Sequence, residues 1–200
     1  MFRSLLRPGT RPVHFAQTIF FVLGLGIVPI TCVTSTAFSA EITIRDASTV
    51  LTDNVYRLNA DINYQFSDVA LEALQRGVPL VVELNINIER ERAYMWNETT
   101  ASLLQRYQLR YVALTKRYVI ANLNSGAETQ YPSRVMAINE LGEIIDLPIL
   151  DSGLINSDDD YSINLRASFD IESLPVPMRV TAYFSSDWRI KSEWRTWPLR

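Results

Sequence analysis

The side chains that most often carry catalysis are scarce and oddly placed in this 200-residue chain, whose single histidine, His14, and single cysteine, Cys32, both fall within the first 39 residues. Beyond residue 39 there is no imidazole to relay protons, no thiolate nucleophile, and no His or Cys to ligate a metal. Reactive groups are then limited to Ser, Thr, Tyr, Lys116, Lys191 and 22 carboxylates. Neither lysine has a serine three residues before it, and the chain carries no Gly-x-Ser-x-Gly elbow and no glycine-rich phosphate loop. No catalytic residue, metal or cofactor is therefore expected. Asp158, Asp159 and Asp160, with Asp151 nearby, lack the spacing of a calcium loop and read as a solvated acidic turn. Carboxylate pairs suited to glycan hydrolysis remain an alternative, since their separation is invisible in a sequence.

Binding chemistry has better candidates. Arg90 and Arg92 continue the inward parity of Leu84, Ile86 and Ile88, and Tyr94 and Trp96 extend it, so the arginines either pair with internal acids, face a ligand, or mark the strand's end. The run Asp187–Pro198 holds three of the four tryptophans. Trp188 and Trp194 share parity with Ile190 and are expected in the core, whereas Trp197 has the opposite parity and is expected at the surface. Since Arg and Trp dominate binding hot spots, the expected surface comprises Arg90, Arg92, Trp96, Arg106 and Trp197.

Residues 1–39 read as a secretory leader. Arg3, Arg7 and Arg11 precede an apolar stretch from Phe15 to Ile30, interrupted by Gly24, Gly26 and Pro29, and Ala37-Phe38-Ser39 offers a cleavage site after Ser39. Lipidation at Cys32 and retention of the leader as an uncleaved anchor are the competing readings. All three send residues 40–200 out of the cytoplasm as one domain, with membrane association expected only if the leader is retained.

That remaining chain has 16 basic and 22 acidic residues, a net charge of −6. Its charges are interleaved, as in Glu89-Arg90-Glu91-Arg92, which argues against nucleic acid as a partner. An exported domain without cysteine must be stabilised by its core alone.

The elements positioning these residues are mostly strands. Strict alternation runs over 55–66, 78–88 and 161–171, with Tyr56, Leu58, Ala60, Ile62, Tyr64 and Phe66 sharing one face of the first. Shorter strands are expected at 41–46, 103–115, 117–123, 127–131, 143–147, 178–184 and 188–196. Two short helices are expected, one over 68–76 capped by Ser67 and stopped by Gly77, the other over 134–141 capped by Ser133 and ended by Gly142. The pattern predicts a mainly β fold, an antiparallel β-sandwich of immunoglobulin-like or related type with two short helices.

The stretches Gln105-Arg106-Tyr107, Tyr118-Val119-Ile120-Ala121-Asn122-Leu123, Asp146-Leu147-Pro148, Asp187-Trp188 and Ser192-Glu193-Trp194-Arg195-Thr196-Trp197-Pro198 together resemble the proteobacterial DUF4390 family over nearly all of residues 41–199. The resemblance implies an exported envelope protein of Gram-negative bacteria and transfers no catalytic residue. The expectation is a non-catalytic interaction or accessory module in the periplasm whose partner is an envelope protein or glycan. The alternative is a glycan-binding or glycan-hydrolysing envelope protein using carboxylates and Trp, recognisable as a cleft with two carboxyl groups beside a Trp platform.

Overall fold

The computed structural model describes residues 40–199, so the leader expected over 1–39, with His14 and Cys32, lies outside the described residues. Strands β1 (Glu41–Thr52), β2 (Val55–Gln65) and β7 (Glu143–Asp151) form a three-stranded sheet in the order β1-β2-β7. The second sheet has six strands: β6 (Glu128–Tyr131), β5 (Arg117–Asn122), β4 (Glu98–Val112), β3 (Leu80–Arg90), β8 (Tyr161–Phe169) and β9 (Arg195–Pro198), in that order. Every pairing is antiparallel, and the fold is the mainly β sandwich that the alternation predicts.

One core joins the two sheets. Leu58 of β2, Leu84, Ile86 and Ile88 of β3, and Ile163 and Leu165 of β8 are fully buried within it. Each such aliphatic side chain contributes roughly 1.5–3 kcal/mol on leaving water, and no disulfide assists. The opposite face of β3 carries Glu83, Asn85, Asn87 and Glu89, as the alternation requires.

Both expected helices form. In α1 (Asp68–Gln75) the Ser67 hydroxyl accepts the Ala70 N–H at 3.1 Å, and Gly77 stops the chain at φ +90. In α2 (Arg134–Leu141) Ser133 accepts from Met136 at 3.2 Å. Gly142 then lies so close to β2 that a Cβ there would stand 1.9 Å from the Ile62 carbonyl oxygen.

Three expectations need correction. Residues 178–184 are not a strand but part of a third helix, α3 (Val176–Phe184). Val176, Val180 and Phe184 satisfy period two and helical i, i+4, i+8 spacing alike, and the prolines at 175 and 177 suit a helix start better than a strand. The strand expected over 188–196 reduces to an isolated bridge between Ser168 and Lys191 and the short β9. Finally, β1 runs to Thr52 rather than 46, because Asp53 and Asn54, at φ 51 and 63, make a two-residue turn that pairs it with β2 along its whole length.

Strand direction gives the sandwich two distinct ends. At the base, β1 begins, β2 passes into α1, β3 begins, and β8 leads to α3. At the tip lie the Asp53-Asn54 turn and the β3–β4 and β7–β8 loops, about 36 Å away by the rise of the eleven residues of β3.

Candidate functional site

The tip is the most organised polar region. Glu98, the first residue of β4, accepts hydrogen bonds from the guanidinium groups of both Arg90 and Arg92. Arg90 also donates to Asp159 of the β7–β8 loop at 3.2 Å. Asn97 donates to Glu89 at 3.4 Å, and the Glu91 N–H donates to the Asp160 carbonyl at 2.8 Å. The two arginines hold the Glu98 carboxyl below its ordinary range, chiefly through hydrogen bonds from Arg90 and Arg92. Arg90 is in turn held more firmly protonated by Glu98 and Asp159. Of the alternatives for Arg90 and Arg92, the structure displays internal pairing at a strand end: β3 stops at Arg90, in regular register with β8 to its last residue, while Thr100 bulges from β4 opposite Ile88 and Glu89.

The paired stem presents an aromatic loop. Tyr94 is 100 % exposed and Trp96 94 %, and Met95 between them is also exposed, none with a hydrogen bond to the rest of the described residues. The neighbouring groove, about 470 Å³, is lined by Glu91, Arg92, Asn97 and the Asp158–Asp160 turn.

Arg106 does not join this group. It sits opposite Glu83 on the outer face of the large sheet, seven residues down β3 from Arg90 and so about 23 Å away. Its guanidinium pairs with Asp170 and lies 3.3 Å from Glu83. Asp170 is buried and also accepts the Glu172 N–H at 3.0 Å, which ties the chain leaving β8 to the sheet. Burial raises the Glu83 pKa, with Asp170 adding to the rise and Arg106 opposing it. Arg106 thus neutralises two acids on a sheet surface.

The tryptophans depart from parity. Trp188 is buried against Phe169, ring centroids 5.4 Å apart, as expected. Trp194 is exposed, with the Arg166 guanidinium stacked 4.4 Å from its ring centroid. Trp197 is half-buried and donates its indole N–H to Thr49 at 3.1 Å, pinning β9 of one sheet to β1 of the other. The expected roles of Trp194 and Trp197 are exchanged because the chain between Lys191 and Arg195 is not a strand, which resets the alternation.

Two further recesses bear on glycan chemistry. A cavity of about 390 Å³ between β5, β6 and β7 is bordered by Tyr107, Tyr131, Glu140, Glu143 and Asp146, with no Trp among its lining residues. Asp146 there adopts φ 55, held by Arg57 at 3.0 Å and by Asn59, which accepts its N–H at 3.0 Å. A smaller cleft, about 310 Å³, places Glu41 and Glu193 beside Trp194, whose ring Arg166 already covers from one side. Among the described residues no three His, Cys, Asp or Glu side chains gather to hold a metal.

Of the five residues expected at the surface, then, Arg90, Arg92 and Trp96 come together, Arg106 lies elsewhere, and Trp197 serves as an inter-sheet pin. The anchoring partners Glu98 and Asp159, 61 residues apart in sequence, had no signal in spacing; Tyr94 and Trp96 continue the inward parity of β3 in sequence, but beyond Arg90 the strand has ended and both are exposed.

Fold and site together define a two-sheet antiparallel domain with an ion-paired, aromatic loop at one end. The chain belongs to the family described as a domain of unknown function (DUF4390), whose family model matches residues 39–198. Neither a curated protein nor a solved structure matches it.

Proposed function

We propose that this is a non-catalytic exported protein of the envelope, an interaction or accessory module acting in the periplasm, and that it grips a partner protein with the β3–β4 loop. The observation that supports this reading is the division of labour at the tip: Arg90, Arg92, Glu98 and Asp159 hold the stem, while Tyr94, Met95 and Trp96 stand free. Three large apolar side chains left in water gain nothing from folding, and aromatic residues and Met are the types enriched where proteins meet. A stem ordered before contact lowers the entropic cost of binding.

A photoreactive amino acid at position 94, with the same probe at the exposed Leu114 of the β4–β5 turn as control, tests the reading in the native envelope. A discrete crosslinked protein is expected from position 94 and not from 114. Trp96→Ala is expected to reduce that crosslink about tenfold or more, the loss typical of a hot spot, while stability stays within about 0.5 kcal/mol. Equal labelling from both positions, or a crosslink insensitive to Trp96→Ala, would refute the proposal. Retention on purified envelope glycan, abolished by Trp194→Ala but not Trp96→Ala, would favour the glycan reading instead.

A further inference from the structure

The base of the sandwich carries an apolar surface of a different kind. Helix α3 turns Val176, Val180, Tyr183 and Phe184 outward, positions i, i+4, i+7 and i+8 of a single helical face. Val176 is 68 % exposed, Val180 67 % and Phe184 88 %. Its other side is satisfied: Ala182 is buried, Met178 packs on the core, and Arg179 donates to the Leu174 carbonyl at 2.7 Å and pairs with Glu172. The helix contains no acidic residue. An amphipathic surface helix ordinarily buries its apolar stripe in its own protein. In α3 the stripe faces away from the domain.

The place where the rest of the chain enters indicates what covers it. Ser67, at the start of α1, donates to the Asp187 carbonyl at 3.2 Å, three residues beyond the end of α3, and two residues before Ser67 lies Gln65, the partner of Glu41. Residues 1–39 therefore join the domain at the same end as α3, and they include the apolar stretch Phe15–Ile30. The ten residues from Ile30 to Ala40 span at most about 35 Å, so a bilayer holding that stretch lies within reach of α3. A valine-rich stripe ending in Tyr and Phe on an acid-free helix suits the boundary between headgroups and acyl chains.

We infer that α3 is a membrane-resting helix: it lies in the interface of the lipid bilayer from which the leader emerges, with Val176, Val180, Tyr183 and Phe184 entering the acyl boundary. This orientation sets the base on the membrane and points Trp96 away from it. It rests on residues 1–39 being retained as an anchor rather than cleaved after Ser39, shares with the proposed function only the export of the chain, and stands or falls separately from any partner at the tip.

The test uses the full chain with Cys32→Ser, measured before and after addition of vesicles of phosphatidylethanolamine and phosphatidylglycerol. An environment-sensitive fluorophore is placed on a cysteine introduced by Phe184→Cys or, at the opposite end, by Tyr94→Cys. The label at 184 is expected to shift to the blue on addition of vesicles and to be quenched by spin-labelled lipid about fivefold more strongly than the label at 94. Val180→Glu, at an exposed position, is expected to remove that difference without changing the circular dichroism. Equal quenching at 184 and 94, shielding of 184 before vesicles are added, or no effect of Val180→Glu would overturn the inference; shielding without lipid would mean that the leader or a second copy covers α3. Tip crosslinks that persist after such a result would leave the proposed function intact.

Discussion

At the tip of this sandwich the strands end in loops tied together by arginine–carboxylate pairs, whereas at the base they end in helices seated by packing and capping. Arg90, Arg92, Glu98 and Asp159 form a network open to water, in which each pair contributes little to overall stability but limits how the β3–β4 loop can move. Ser67, Leu74, Trp188 and Gly142 hold the base with buried surface and close backbone approach, where a small change in volume is felt at once. Both ends expose apolar residues, but the tip presents an irregular aromatic loop and the base a regular helical stripe. The proposed protein partner rests on the first geometry, and the proposed lipid interface on the second.

The sharpest way to break the base is at Gly142. Adding a methyl group there sets a carbon 1.9 Å from a backbone oxygen of β2, and backbone cannot swing aside as a side chain can. Gly142→Ala is expected to cost about 3 kcal/mol or more, read as a fall in Tm, while a helix-favouring outcome with Tm unchanged would contradict the close approach of α2 to β2.

The opposite sign is expected at Tyr64. Its hydroxyl is buried without a hydrogen-bond partner among the described residues, and burial drives its pKa far above the ordinary tyrosine value. Tyr64→Phe keeps the ring that stacks on Phe66 and removes the orphaned group, so stability is expected to rise by about 1 kcal/mol in chemical denaturation. Any loss of stability would show that the hydroxyl has a partner.

The smallest effect belongs to the tip, and it depends on pH. Because Arg90 and Arg92 depress the folded-state pKa of Glu98, the stabilisation is complete above the ordinary glutamate range near 4.5 and disappears as pH falls through the lower, folded value. The Tm gap between the natural chain and Glu98→Gln should therefore be present at neutral pH and close in acid. A gap independent of pH would mean that the carboxylate charge is irrelevant to the stem.

Much of the fold was legible from short-range pattern. The alternating faces of β2, β3 and β8 and the caps Ser67 and Ser133 required only a period of two and the hydrogen-bonding habits of serine. Helix α3 was illegible because three apolar residues spaced by four fit either period, and only the docking of Ala182 and Met178 selects the helix. The site was legible in part. Trp96 stands out by residue type beside Arg90 and Arg92, but the anchoring of its loop depends on Asp159, which approaches Arg90 only because β8 lies beside β3.

The sequence by itself determined that this is a β protein held together by its core, with no histidine or cysteine in the described domain, because composition and periodicity are local properties of the chain. The tertiary structure alone decided which arginines are occupied, which tryptophans are free, and at which end of the domain β1 begins. Those outcomes depend on strand order and on contacts between residues tens of positions apart, and neither is encoded in the spacing of neighbours.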